Sequence, residues 1–327
     1  MSFMIAKERP PSGPLPLVGE LKSSPVMTRH PANPVLSAKD VPYKTALVYN
    51  AGITKYQGKY VMVFRNDYGS IEEQRLDGTN LGLAFSDDGI KWKVEPRPCF
   101  ELHDREIRRA YDPRLTVLDG RCYMCFAVDT HHGVLGGIAV TEDFQAFEIL
   151  HMTTPDNRNM VLFPEKIGGL YYRLDRPFQP GGQGHIWMCD SPDLVHWGNP
   201  RCIMESRRFA WDQGKIGPGA PPIKTDEGWL VIYHGTTPRC NGLIYKAGVA
   251  LLDLDDPSKV IARGKEYLMA PSTDYERMGD VPNVVFVTSA IPDFEKDEMR
   301  LYYGGADTCF CMATAKISDL IQFAKTG

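Results

Sequence analysis

The sequence predicts an all-β protein folded as a five-bladed β-propeller, and three observations point there. One unit, a short strand opened by a polar residue, a tight turn, a second strand and a third strand with a polar closer, recurs five times in 327 residues. Its openers, Asn50, Asp112, Asn159, Gly217 and Asn283, lie about 45 to 65 residues apart, the scale of a four-stranded blade. The unit also recurs whole, third strand and closer included, which a β-sandwich cut from the same short strands does not require.

The copies follow in order. The first runs Val48–Ile53, turns at Gln57-Gly58, continues through Tyr60–Phe64 to Arg65-Asn66-Asp67, and closes Leu81–Phe85 with Ser86-Asp87-Asp88-Gly89. Tyr111-Asp112-Pro113-Arg114 opens the second, which turns at Asp119-Gly120 and closes with Thr141-Glu142-Asp143-Phe144. Aspartate is a poor strand former, so Asp112 is expected at the mouth of the apolar run Leu115–Leu118, with Pro113 stiffening the junction. The third copy holds Arg158-Asn159, a Gly168-Gly169 turn, a strand ending at Arg176 and the closer Ser191-Pro192-Asp193-Leu194. In the fourth, Gly217-Pro218-Gly219 opens and Trp229–Tyr233 ends on His234; in the fifth, Asn283 opens and Leu301–Tyr303 ends near Asp307. Residues 1–32, with Pro10, Pro11, Pro14 and Pro16, read as a proline-rich arm, and residues 33–327 as the propeller. The arm carries Leu15, Leu17, Val18 and Leu21 without the means to form a core of its own, so it is expected to pack on a neighbouring subunit of a homo-oligomer.

Composition narrows the function. With 43% hydrophobic and 24% charged residues and a formal net charge of -4, the chain is expected to be a soluble globular protein and not a general nucleic-acid or membrane-surface binder. No signal-like or membrane-spanning apolar run occurs, and a cytoplasmic location is expected. The 8 cysteines are scattered, most within apolar runs; Cys122 and Cys125 fall three apart on a strand and so face opposite ways, which suits structural thiols better than a metal pair. Neither a zinc-ligand spacing nor a nucleophile-elbow serine is present. Gly181-Gly182-Gln183-Gly184 precedes a strand, not a helix, and reads as a linker.

The polar residues acquire meaning from the repeat. In a propeller the innermost strands line the channel, so Asn50, Asp112, Arg158 and Asn159 are expected in one ring. The next strand runs antiparallel and returns Arg65, Arg176, His234 and Asp307 to the same end, with Lys215 close by. Singly, Arg176 could cap a turn, His234 could be a satisfied core histidine and Lys215 could be solvated. Together, cations converging without carboxylates to neutralise them call for an anion, and a planar arginine pair suits phosphate. Asp112 is the candidate acid.

These residues resemble glycoside hydrolase family 130, the β-mannoside phosphorylases, whose members are five-bladed propellers. The resemblance runs from Asn33 onward and is carried by Asn50-Ala51-Gly52, Arg65-Asn66-Asp67, Tyr111-Asp112-Pro113-Arg114, Asn157-Arg158-Asn159, Leu162–Lys166, Arg176-Pro177, Tyr233-His234-Gly235 and Tyr302–Asp307. It implies a glycosyl-transferring enzyme that cleaves a terminal β-1,4-linked mannosyl residue by inverting phosphorolysis, with Asp112 as the single catalytic acid acting through a mannose hydroxyl. It further implies that Arg158, Asn159, Arg176, Lys215, His234 and Tyr245 bind phosphate and that Asn50, Arg65, Tyr111 and Asp307 hold the mannosyl unit. Phosphate would be a co-substrate, with no cofactor and no metal. A β-mannoside hydrolase, with Asp307 or Glu165 as base, and a non-catalytic sugar-binding propeller are the alternatives. Two residues depart from the family pattern: Tyr111 stands where many members have Glu, and Ala51 where some have Ser.

Overall fold

The computed structural model describes residues 21–70, 72–73, 75–179, 183–240 and 242–327. After a short strand β1 (Thr28–Arg29), blade I is built from β2 (Leu47–Tyr56), β3 (Lys59–Ser70), β4 (Arg75–Ser86) and β5 (Lys93–Val94). Blade II follows as β6 (Ile107–Leu118), β7 (Arg121–Thr130), β8 (Gly133–Thr141) and β9 (Glu148–Met152), and blade III as β10 (Asn157–Leu162), β11 (Tyr171–Pro177), β12 (Ile186–Ser191) and β13 (Gly198–Met204). The inner strand of blade IV is split into β14 (Ile216–Pro218) and β15 (Ile223–Thr225) around Pro221 and Pro222, and is followed by β16 (Gly228–Arg239), β17 (Gly242–Leu252) and β18 (Val260–Arg263). Blade V holds β19 (Val285–Asp293), β20 (Glu298–Gly305) and β21 (Cys309–Lys316). All pairings within blades are antiparallel, as the repeat predicted.

Local chemistry explains why the unit repeats. The β2–β3, β6–β7 and β10–β11 turns place Gln57-Gly58, Asp119-Gly120 and Gly168-Gly169 at positive φ, the mirror-image turn whose twist matches antiparallel strands. The closers are one motif used three times. The hydroxyls of Ser86, Thr141 and Ser191 accept from the amides of Gly89, Phe144 and Leu194, each at 2.9 Å, while the carboxylates of Asp88, Asp143 and Asp193 each accept from two further amides.

Each seam between neighbouring blades has its own apolar core, because strand side chains alternate between the two faces of a blade. Cys122 faces the seam with blade I and Cys125 the seam with blade III, so the pair is split as expected. A terminal helix α1 (Ile317–Thr326) lays Ile317, Leu320, Ile321 and Ala324 on the seam between blades IV and V.

The ring is closed by a segment that the sequence reading assigned to the arm. β1 pairs with β21 (Thr28 with Thr314, Arg29 with Ala313) and supplies the fourth strand of blade V, so the boundary at residue 32 is too late. Two residues are too few to carry a strand signal, and Arg29 supplies what pairing alone cannot. Its guanidinium reaches the fully buried Glu276 through Nε at 2.6 Å and Nη2 at 2.9 Å, and Tyr303 donates to the same carboxylate at 2.9 Å. Arm residues Leu15, Leu17 and Val18, expected against a neighbouring subunit, lie outside the described residues. Removing Arg29 strands a buried charge, so Arg29→Met is expected to lower stability by about 3 to 5 kcal/mol, and adding Glu276→Gln to recover part of the loss. Urea unfolding of the three proteins checks this; a loss within experimental error for Arg29→Met would show that the ring closes without this pair.

Candidate active site

A regular inner strand would send its side chains alternately into the two seams and none along the axis. The structure breaks that alternation with bulges. The register slips between Tyr49 and Gly52 in β2, between Tyr111 and Arg114 in β6 and between Arg158 and Val161 in β10. At these slips Asn50 (φ 47°), Asp112 (φ 55°) and Asn159 (φ 59°) take the left-handed conformation, which Asn and Asp tolerate far better than branched residues. Asp112 therefore lies mid-strand and not at a strand mouth. Arg114, fully buried, pins the bulge by donating from Nη1 to the Asp112 carbonyl (2.8 Å) and from Nε to the Gly219 carbonyl (2.8 Å). Asn283 has no matching role: it precedes β19, and its carbonyl accepts from the Tyr245 amide.

These side chains open into a cavity of about 370 Å³ whose wall includes Asn50, Arg65, Tyr111, Asp112, Arg158, Asn159, Arg176, Tyr245 and Asp307. One half is carboxylate-rich. Asp112 Oδ1 accepts from Asn50 Nδ2 (3.0 Å) and Arg65 Nη1 (3.3 Å), and no described residue hydrogen-bonds its Oδ2. Arg65 is held by Asp67 through two bonds of 2.9 and 2.7 Å, and its guanidinium lies between the rings of Tyr49 (4.5 Å) and Tyr111 (4.9 Å). Tyr49 and Thr79 donate to the same Asp67, whose carboxyl stays below the usual carboxylate range: burial opposes this, and Arg65 with these donors outweighs it. Burial pushes the Asp307 carboxyl up to about 7 against the pull of Arg65, and the nearby Asp112 adds to the rise. At the rim, Tyr111 donates to Asp129 at 2.7 Å, and Asp129 also pairs with Arg109 at 2.7 Å.

The other half is cationic and uncompensated. Among the described residues no carboxylate pairs with Arg158, Arg176 or Lys215, whereas Arg65, Arg109 and Arg173 all have one. Arg158 and Arg176 are cross-strand partners, and both guanidinium groups lie over the ring of Phe178, at 4.5 and 5.5 Å. Burial, with Arg158 beside it, lowers Arg176 to about 10; burial, with Arg176 and Arg158, lowers Lys215 to about 7. Gly184 makes room for this packing, since a Cβ there would stand 2.8 Å from Arg176 Cδ.

Two expected members sit behind the wall. His234 is fully buried and receives Arg176 Nη1 at 3.1 Å and Asn159 Nδ2 at 3.4 Å on its Nε2. A guanidinium can only donate, so this nitrogen accepts and the ring is neutral, consistent with burial and the surrounding cations depressing its pKa well below normal. His234 thus orients Arg176 and Asn159 and is not itself a cation of the cluster; Gly217 admits it, a Cβ there lying 2.5 Å from its Cε1. Lys215 sits with its ammonium 5.4 Å from the Tyr245 ring. Ala51 is buried in the seam between blades I and V, so that departure from the family pattern leaves the wall unchanged. Glu165 is exposed, paired with Lys224, and outside the cavity. The sequence reading missed Tyr49, Asp67, Arg109, Asp129, Asp280 and Phe286, which also line it. Asp67 had a signal in Arg65-Asn66-Asp67, two residues on from Arg65 and on the same strand face; the others reach the wall through blade geometry that no local pattern encodes.

The chain is similar to known proteins over most of its length. A family model described as beta-1,4-mannooligosaccharide phosphorylase matches residues 23–326. The chain is similar to a beta-1,4-mannooligosaccharide phosphorylase from Ruminococcus albus, 35% identical over 314 residues that make up 92% of this chain and 91% of the relative. It is also similar to a beta-1,2-mannobiose phosphorylase from Listeria innocua, 36% identical over 74% of this chain and 68% of the relative. The solved complex of the Listeria innocua beta-1,2-mannobiose phosphorylase with beta-1,2-mannobiose superposes with a TM-score of 0.82 at 27% identity, covering 91% of this chain and 99% of that one.

The cationic half makes a prediction about protons. A lysine held at about 7 is mostly neutral at pH 8, and an anion beside it raises its pKa, so the protein takes up a proton on binding anywhere between the two values. Titrating inorganic phosphate at pH 8 in buffers of different ionisation enthalpy is expected to show uptake of up to one proton, largely lost in Lys215→Met. Equal uptake in the two proteins would exclude Lys215 from the anion's surroundings.

Proposed function

The chain belongs to glycoside hydrolase family 130, and from that premise we propose that it is a β-mannoside phosphorylase acting on a terminal β-1,4-linked mannosyl residue. The observation that carries this is the pairing, in one cavity, of Asp112, whose Oδ2 no described residue hydrogen-bonds, with the pair Arg158 and Arg176, which no described carboxylate neutralises. An inverting hydrolase needs a second carboxylate to activate water; phosphate is already an anion and needs only to be positioned. Phosphate lies between Arg158 and Arg176, with Asn159, Tyr245 and Lys215 around it and His234 fixing the donors. One of its oxygens attacks the anomeric carbon as the glycosidic bond breaks, and the proton supplied by Asp112 ends on the departing oxygen. The mannosyl group is thereby transferred to phosphate with inversion, giving α-mannose 1-phosphate and a sugar shortened by one unit. Asn50, Arg65, Tyr111 and Asp307 hold the mannosyl ring. The family description and the Ruminococcus albus relative support the β-1,4 linkage.

The hydrolase reading has less support. Glu165 lies outside the cavity wall and is paired with Lys224, and Asp307 lies in the carboxylate-rich half beside Asp112 and Arg65. A cytoplasmic setting is part of the proposal, supported by eight cysteines that are all free thiols. So is self-association, supported by the apolar residues Leu15, Leu17 and Val18 in the proline-rich arm sequence; a monomeric mass at micromolar concentration would refute it.

β-1,4-Mannobiose incubated with the protein is expected to yield mannose 1-phosphate only when phosphate is present, and faster than β-1,2-mannobiose; release that ignores phosphate would replace this reading with the hydrolase. Asp112→Asn keeps shape and removes the proton, so turnover should fall about 10²- to 10⁴-fold with disaccharide binding retained. Arg158→Ala and Arg176→Ala should each raise the phosphate concentration needed for half-maximal rate about 10- to 100-fold while the disaccharide requirement changes little. Arg→Lys should rescue only partly, since a point charge lacks the planar fork. If both requirements rose while the melting temperature fell, the pair would be structural.

A further inference from the structure

The seam between blades II and III differs from the other four. Its apolar core has eight buried residues among those described, against 12 to 22 elsewhere. Beside that core lies a second cavity of about 370 Å³, whose wall includes His151, Asn157, Arg173, Asp175, Trp187 and Trp197. It lies across the blade III sheet from the phosphate arginines: Asn157 and Asp175 each immediately precede one of the cross-strand pair Arg158 and Arg176, so they point to the opposite face.

Arg173, Asp175 and Asn157 are each at least 91% buried, and they are only partly satisfied. Asp175 Oδ2 accepts from Arg173 Nε (3.2 Å) and Asn157 Nδ2 (3.0 Å), and the Arg173 guanidinium lies 4.6 Å from the Trp197 ring. His151 donates from Nδ1 to the Val195 carbonyl at 3.0 Å, which leaves Nε2 as an acceptor. Five polar atoms then remain without a partner: Arg173 Nη1 and Trp187 Nε1 as donors, Asp175 Oδ1, Asn157 Oδ1 and His151 Nε2 as acceptors. A buried group left this way costs about 1 to 3 kcal/mol, so five on one wall is a large debt for a seam that could have been filled with leucine. The same feature marks the candidate active site, where Asn50 Oδ1, Arg114 Nη2, Arg158 Nε and His234 Nδ1 are also unpartnered.

The mixture of donors and acceptors selects the ligand. An inorganic anion would meet the carboxylates of Asp156 and Asp175, and a metal ion would meet the Arg173 guanidinium and the Trp187 indole N–H. Hydroxyl groups donate and accept at once, and indole walls suit the apolar face of a pyranose. We propose that the groove between blades II and III is a second carbohydrate-binding site that takes one or two pyranose units of a neutral oligosaccharide. The choice of a manno-oligosaccharide as that ligand rests on the function proposed above. The site gives the protein a hold on a glycan separate from the cavity that cleaves it.

Without phosphate the proposed reaction cannot proceed, so β-1,4-mannotriose can be titrated calorimetrically into the intact protein. Two binding events per chain are expected. Trp187→Phe, which removes the indole donor and narrows the aromatic wall, should weaken one of them about tenfold or more, as should Asp175→Asn, with the other unchanged. Phosphate-dependent turnover of mannobiose, run in parallel, should be the same in both variants and the parent. Crystals soaked in mannotriose should show sugar in the groove. A single event, two events indifferent to Trp187→Phe, or ordered water alone in the groove would overturn the inference. Turnover with phosphate alongside any of these would leave the proposed reaction standing, whereas absence of turnover with a groove-dependent event would sink the reaction and keep the site.

Discussion

The left-handed backbone at Asn50, Asp112 and Asn159 is the constraint on which the site depends. A propeller made only of regular strands has a channel lined by backbone and alternating side chains already committed to the seams. One inserted residue per inner strand frees a side chain to point along the axis, at the cost of a conformation that few residue types accept. Asn and Asp accept it and carry the amide and carboxyl groups that chemistry on a sugar requires, so one choice of residue serves fold and function. Blades IV and V solve the same problem otherwise. Blade IV breaks its inner strand at the proline pair, and blade V brings Asp307 in from the turn after its second strand, again at positive φ (49°).

From that ring the charges separate. Arg65 lies in a cage of two tyrosines and Asp67, its charge paired, and presents Nη1 to Asp112. Among the described residues Arg176, by contrast, finds a neutral histidine and an aromatic face, and Lys215 an aromatic face, with no carboxylate on either. The difference is not in the residue type but in what surrounds it: a bidentate carboxylate neutralises the charge of a guanidinium, while an imidazole acceptor leaves it uncompensated. The cavity therefore holds two arginine environments, one that fixes a carboxylate and one that awaits an anion.

Much of this was legible in the sequence. The tight turns and the polar closers of the first three blades are local signals, and each was found where it was expected. Of the expected site residues, nine line the cavity, while His234 and Lys215 stand just behind it. What the sequence hid was non-local. A bulge looks like a strand start because its polar residue interrupts the apolar run, which is why Asp112 was expected at a strand mouth. A two-residue closing strand, β1, has no pattern to read. The tautomer of His234 depends on Arg176, 58 residues away, and Asp129 and Asp280 join the wall from blades II and V only after the ring has closed.

The closing of the ring also bears on why the cations are tolerated. Arg176 and Lys215, crowded with Arg158 and with no carboxylate partner among the described residues, oppose folding, because burial and mutual repulsion both disfavour their charged forms. A sequence could relieve it with a single Glu on β11 or β16. It does not, and in the proposed reaction the relief is left to phosphate, whose charge arrives with its nucleophilic oxygen. Stability withheld from the empty protein becomes binding energy for the anion, directed at one place beside Asp112. That is the economy of a phosphorolytic site: the group that a hydrolase would need as a base would here repel the nucleophile, so its absence from the cationic half is as much a requirement of the chemistry as the presence of the acid.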